Sequence, residues 1–133
     1  MTLSSMKGVR VTNRTRNTVL ATHLAVANSG EARRKGLLGK TQMNCGEGLW
    51  IIPCECIHTF FMRFPIDVIY VDRKLRVKKL TPDLVPWRLS GCLMAHSVLE
   101  LPVGTINASC TELGDKLELA PVSFDSASAA FTP

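Results

Sequence analysis

The run Ile66-Asp-Val-Ile-Tyr-Val-Asp72, the pair Arg73-Lys74 and the return Leu75-Arg-Val-Lys-Lys-Leu-Thr81 decide the fold. The first run is β-branched and aromatic, and apolar on both faces except at Asp67, as in an interior strand. The return alternates Leu75, Val77 and Lys79 against Arg76, Lys78 and Leu80, so one of its faces is wet. Joined by two polar residues, the runs read as an antiparallel hairpin.

Immediately upstream, Pro65 breaks the chain after Cys54-Glu-Cys-Ile-His-Thr-Phe-Phe-Met-Arg-Phe64. Before that, Gly48 to Pro53 reads as a buried strand ended by its proline. Further out, Val9 to Asn13 and Thr18 to Ala27 read as strands with Asn17 in the turn. Residues 28–39 predict a short helix. Asn28 would cap it, Glu31 would complete a capping box, Leu37 and Leu38 would face inward, and Gly39 would close it. Downstream, residues 82–91 read as a loop and His96 to Leu101 as a strand. Pro102 opens a second helical turn, and Lys116 to Ala120 is a last alternating strand. No strand–helix–strand alternation is read. The expectation is a mainly β fold, a small antiparallel β-barrel or sandwich with two short helices. One domain spans residues 1–133, with an ordered core over about 9–121 and a frayed tail over 122–133.

Composition narrows the class. The chain has 133 residues, 46% hydrophobic and 20% charged, as in a globular domain. No apolar run approaches the ~18 residues of a membrane span, and Met1 to Ser5 hold no signal-peptide core. The five cysteines are odd in number and irregularly spaced, which predicts free thiols in a reducing compartment. These features predict a soluble, cytoplasmic protein with no membrane partner. The net charge is +5. Residues 1–40 hold eight Lys or Arg against Glu31 alone, giving +7, and the remainder sums to −2.

Several segments carry a family signature. They are Glu-Ala-Arg-Arg-Lys-Gly-Leu-Leu-Gly (31–39), Gly-Glu-Gly-Leu (46–49), Ile-His-Thr-Phe-Phe-Met-Arg-Phe-Pro-Ile-Asp-Val (57–68), Val-Leu-Glu-Leu-Pro-Val-Gly (98–104) and Leu-Gly-Asp (113–115). In this order they resemble the bacterial and archaeal family catalogued as domain of unknown function 192. The resemblance covers about residues 18–120. It implies a compact, mainly β barrel or sandwich and carries no established activity.

The chemistry concentrates around residues 54–72. Asp67 interrupts an apolar strand, and a buried carboxylate needs a partner. Arg63 is the nearest cation, so the two are expected to pair across the Pro65 break. Arg63, Asp67, Glu100 and Arg88 are the charged residues of interest. The first reading is a small-ligand-binding domain with a polar pocket for a carboxylate or phosphate, lined by His58, Thr59, Arg63, Asp67 and Arg88. The second is a nucleic-acid-associated module using Arg33, Arg34, Lys35 and Lys40. The third is an enzyme in which His58 activates Cys54 or Cys56, with Asp67. Cys54-x-Cys56-x-His58 offers zinc-type ligands. On an extended strand, however, the outer two lie roughly 13 Å apart, too far for one ion, so no metal site is assigned. No cofactor motif is read. Trp50 and Trp87 read as core or lid residues, and Met62 as a gap-filler.

Overall fold

The structure is a computed structural model that describes residues 8–122. The expected frayed tail lies, from 123 on, outside the described residues. Among the described residues nine strands and two short helices follow one another: β1 (Val9–Asn13), β2 (Thr18–Ala27), α1 (Gly30–Lys35), β3 (Glu47–Ile51), β4 (Cys56–His58), β5 (Ile66–Val71), β6 (Val77–Leu84), β7 (Leu89–Gly91), β8 (Ser97–Leu101), α2 (Thr105–Ala108) and β9 (Leu117–Pro121). Seven strands form one sheet in the order β6-β5-β8-β3-β2-β1-β9, and β4 pairs with β7 in a separate ribbon.

The large sheet curls until its two edges meet. Arg76 bridges Lys116, the Leu117 amide donates to the Leu75 carbonyl (2.9 Å), and the Val77 amide donates to the Asp115 carbonyl (2.9 Å). The result is a partly closed barrel. The hairpin read from residues 66–81 is present as β5 and β6, and all six residues of β5 are buried. Because successive side chains on a strand face opposite ways, the sheet has two cores. Val9, Val11, Leu24, Trp50, Ile69, Val71, Leu99, Leu101 and Leu117 fill the inside of the curl. Leu49, Ile51, Val68, Tyr70 and Val98 line its outer face, covered by Leu37, Ile57 and Met62.

Two expectations change. The barrel is antiparallel except for β2 and β3, which run parallel. Residues 28–46 carry the chain back along the sheet before β3 begins, and α1 lies in that crossover. A glycine permits the seam: a Cβ on Gly48 would come within 2.5 Å of the Leu24 side chain and 2.7 Å of the Glu100 carbonyl. The helix is also shorter than residues 28–39. Ser29, not Asn28, caps it, its extended backbone letting the hydroxyl accept the Ala32 amide at 3.0 Å. Gly36, at φ +49, ends it. Arg33, Arg34 and Lys35 therefore fall in the last turn, where cations complement the helix dipole.

Candidate functional site

A cleft of about 680 Å³ opens between α1, with the residues that follow it to Leu38, and the segment Pro53–His58. Its size suits a small-molecule site. Ile51, Met62 and Glu100 complete the lining. The rim is basic: Arg33, Arg34 and Lys35 are exposed and line the opening. Arg33 reaches across it, its guanidinium 3.5 Å from the Pro53 carbonyl. His58 lies on the same rim. Its Nδ1 accepts the Phe60 amide at 3.2 Å and its ring stacks on Phe60, which leaves Nε2 free to donate.

Glu100 sets this site apart. On β8 it shares the outer face with Val98, and its cross-strand neighbours are Leu49 on β3 and Val68 on β5. The residue is only 3% exposed. Among the described residues nothing donates a hydrogen bond to its carboxyl or forms an ion pair with it. Burial pushes its pKa up to about 7. Tyr70 and Cys54 sense its charge. Burial raises the Tyr70 phenol to about 12, despite a 2.7 Å hydrogen bond to Ser90, and Glu100 adds to the rise. Burial likewise raises the Cys54 thiol. That thiol donates to the Cys56 carbonyl at 3.1 Å.

The five residues expected to line a pocket do not converge. His58 reaches the cleft rim. Thr59 is buried, and its hydroxyl donates to the Val85 carbonyl (2.7 Å) and accepts the Arg88 amide (2.9 Å), locking the turns at the end of the β4–β7 ribbon. Arg88 is exposed, with its guanidinium on the Trp87 carbonyl. Arg63 is exposed and forms no ion pair among the described residues.

The expected Arg63–Asp67 pair is absent. Asp67 points into the curl, where Oδ1 accepts the Asp83 amide (2.9 Å) and Oδ2 accepts the amides of Gly104 (3.2 Å) and Ile106 (2.9 Å). Three backbone donors satisfy this carboxylate, and no cation is needed. Backbone partners leave no mark in a residue pattern, so the sequence points to the nearest cation instead.

The thiol reading finds little support. The raised pKa of Cys54 favours the unreactive thiol. No hydrogen bond joins a cysteine to His58 among the described residues. In the same region no three His, Cys, Asp or Glu side chains converge as a metal-binding cluster. Trp50 is buried in the inner core, whereas Trp87 is exposed and tilts against Phe61 with ring centroids 4.7 Å apart. The basic triplet, read as a nucleic-acid surface, borders the cleft, and Lys40 is exposed but does not line it.

Comparison with known proteins places the chain. The profile of domain of unknown function 192, described as an uncharacterised ACR, matches residues 11–119, and the chain belongs to this family. It is similar to a UPF0127 protein of Pyrococcus horikoshii, 32% identical over 114 residues, covering 81% of this chain and 96% of the relative. A UPF0127 protein of Thermococcus sibiricus is 31% identical over 115 residues, covering 80% and 71%. Among solved structures, a protein of unknown function from Novosphingobium aromaticivorans superimposes with a TM-score of 0.72 at 23% identity, covering 84% of this chain and 83% of that one. A candidate transcription regulator of Sinorhizobium meliloti gives 0.74 at 21% identity, covering 86% and 93%. These two establish the fold alone. No helix among the described residues is long and apolar enough to cross a membrane.

Proposed function

We propose that this protein binds a small anionic ligand, a carboxylate or a phosphate, in the cleft between α1 and Pro53–His58. The observation that carries the reading is the grouping of Arg33, Arg34, Lys35 and His58 on the rim of one cleft of about 680 Å³. Guanidinium groups recognise planar and tetrahedral oxyanions through paired N–H donors, and the free Nε2 of His58 adds a further donor. The five unpaired cysteines support a reducing, cytoplasmic setting.

Thermal shift and calorimetry with inorganic phosphate, ethyl phosphate and butyrate test the reading. Stabilisation of the parent that falls at least tenfold in affinity in Arg33→Ala, and further when Lys35→Ala is added, supports it. No response to any of the three anions overturns it. A single-stranded oligonucleotide that binds tightly at physiological salt would favour the nucleic-acid role instead, because phosphate-backbone contacts alone weaken steeply with salt.

A further inference from the structure

A cleft with a cationic rim has no evident use for a carboxylic acid in its wall. Glu100 is nonetheless there, more than nine-tenths buried, lining the cleft among apolar neighbours and without a donor among the described residues. The other buried carboxylates among the described residues are satisfied. Asp67 accepts three amides, and Asp115 accepts Asn13, Arg16 and the Glu112 amide. A carboxyl that lines an open cleft without a protein donor is one that an entering group can meet. The polar groups around the cleft do not supply that donor. Tyr70 from β5 gives its hydroxyl to Ser90, Cys54 gives its thiol to the Cys56 carbonyl, and Arg33 from α1 leans to the Pro53 carbonyl. Inside an apolar wall the strongest complement to a carboxylate is a cation that also donates hydrogen bonds.

We infer that the ligand is amphoteric: its carboxylate or phosphate lies against Arg33, Arg34 and Lys35, and a primary ammonium group at its other end is received by Glu100. This rests on the proposed anion-binding role of the cleft and specifies the class of molecule it takes. Amine binding favours the ionised carboxylate, so Glu100 gives up its proton when the ligand enters.

The experiment compares ligands that differ by one amine: ethyl phosphate with O-phosphoethanolamine, and butyrate with 4-aminobutyrate, by calorimetry on the full chain. The amine-bearing member of at least one pair is expected to bind ten times more tightly or better. Glu100→Gln keeps the shape and removes the charge. It should bring that ratio to one, because the amine then meets no charge. Arg33→Ala should weaken both members of a pair together. A second readout is proton release, obtained at pH 6 in buffers of different ionisation heat. The wild type should release close to one proton on binding 4-aminobutyrate, and Glu100→Gln none. If the anions bind and the amine adds nothing, this inference falls and the anion-binding reading stands. Ethanolamine, an amine without the anion, serves as a fifth probe: if it alone binds, the anion-binding reading falls, and the amphoteric class with it. If no probe binds, both fall.

Discussion

Asp115 and Glu100 are both acids almost wholly withdrawn from solvent, and they are treated in opposite ways. Burial alone would raise the Asp115 pKa. Hydrogen bonds from Arg16 (3.1 Å), Asn13 (2.9 Å) and the Glu112 amide (2.9 Å) outweigh burial and hold the carboxyl below its ordinary range. Thr111 joins the same buried network through Asn13. Around Glu100 there is only burial, and its pKa rises to about 7. One region uses an acid to tie the β1–β2 turn to the loop before β9. The other leaves an acid without a partner beside an open cleft. The contrast separates carboxylates that build the fold from one that the fold merely tolerates.

The largest effect should come from breaking the satisfied kind. Asp67 holds three backbone amides from the β6 end and the start of α2. Asp67→Ala would leave three donors unpaired at a site only 1% exposed, which should destabilise the protein by about 3–5 kcal/mol. Urea denaturation measures it. A loss under 1 kcal/mol would mean that water readily replaces the carboxylate, and Asp67 would then not belong with Asp115.

The next effect has the opposite sign. Glu100 has an unfolded pKa of 4.5 and a folded pKa of about 7, so the native state holds an extra proton between those values. Its contribution is therefore complete below pH 4.5 and is lost as pH rises through 7. At about 1.4 kcal/mol per pH unit the interval corresponds to about 3 kcal/mol. Glu100→Gln should thus be more stable than the wild type at pH 8 by about 3 kcal/mol and nearly equal to it at pH 4. Tyr70 and Cys54, the titratable groups that face Glu100, both have raised pKa values and do not open this window. Equal stability of the two proteins at pH 8 would show that Glu100 is solvated after all.

Asp115 supplies a smaller limb at the acid end. Its folded pKa lies below the ordinary 3.8, so its stabilisation is present above that value and is lost as pH falls through the folded pKa. Asp115→Asn should flatten the acid limb of a thermal-denaturation profile below pH 4 and lower stability by a constant amount between pH 5 and 8, where the profile keeps its shape. A variant with the wild-type acid limb would place the titrating group elsewhere.

What the chain reveals before folding follows the same division. The β5–β6 hairpin is legible because its signals are local: alternation, β-branching and two polar turn residues. The parallel pairing of β2 with β3 is not, because it depends on how residues 28–46 travel and on the close approach that Gly48 allows. At the candidate cleft, the motif singles out His58, which lies on the rim. The link between Arg33–Lys35 and Glu100 could not be read from the chain, since the two are brought together only by the crossover. Glu100 does carry a signal, a lone acid in the apolar run Val98-Leu-Glu-Leu101. The same signal at Asp67 has a structural cause, so pattern alone cannot tell the two acids apart.

The smallest expected effect is the sharpest check on that distinction. Arg63 looks from sequence like the mate of Asp67, but it is exposed and forms no ion pair among the described residues, while backbone amides satisfy the aspartate. Arg63→Ala should change stability by no more than about 0.5 kcal/mol, as for a surface substitution away from special features. In the Arg63→Ala, Asp67→Ala double variant the losses should add, because the two residues share no interaction. A coupling of 1 kcal/mol or more, measured by urea denaturation of all four proteins, would restore the ion pair and make Asp67 a charge-compensated acid. Additivity would leave backbone amides alone as its partners, and Glu100 as the buried acid of the cleft with no partner among the described residues.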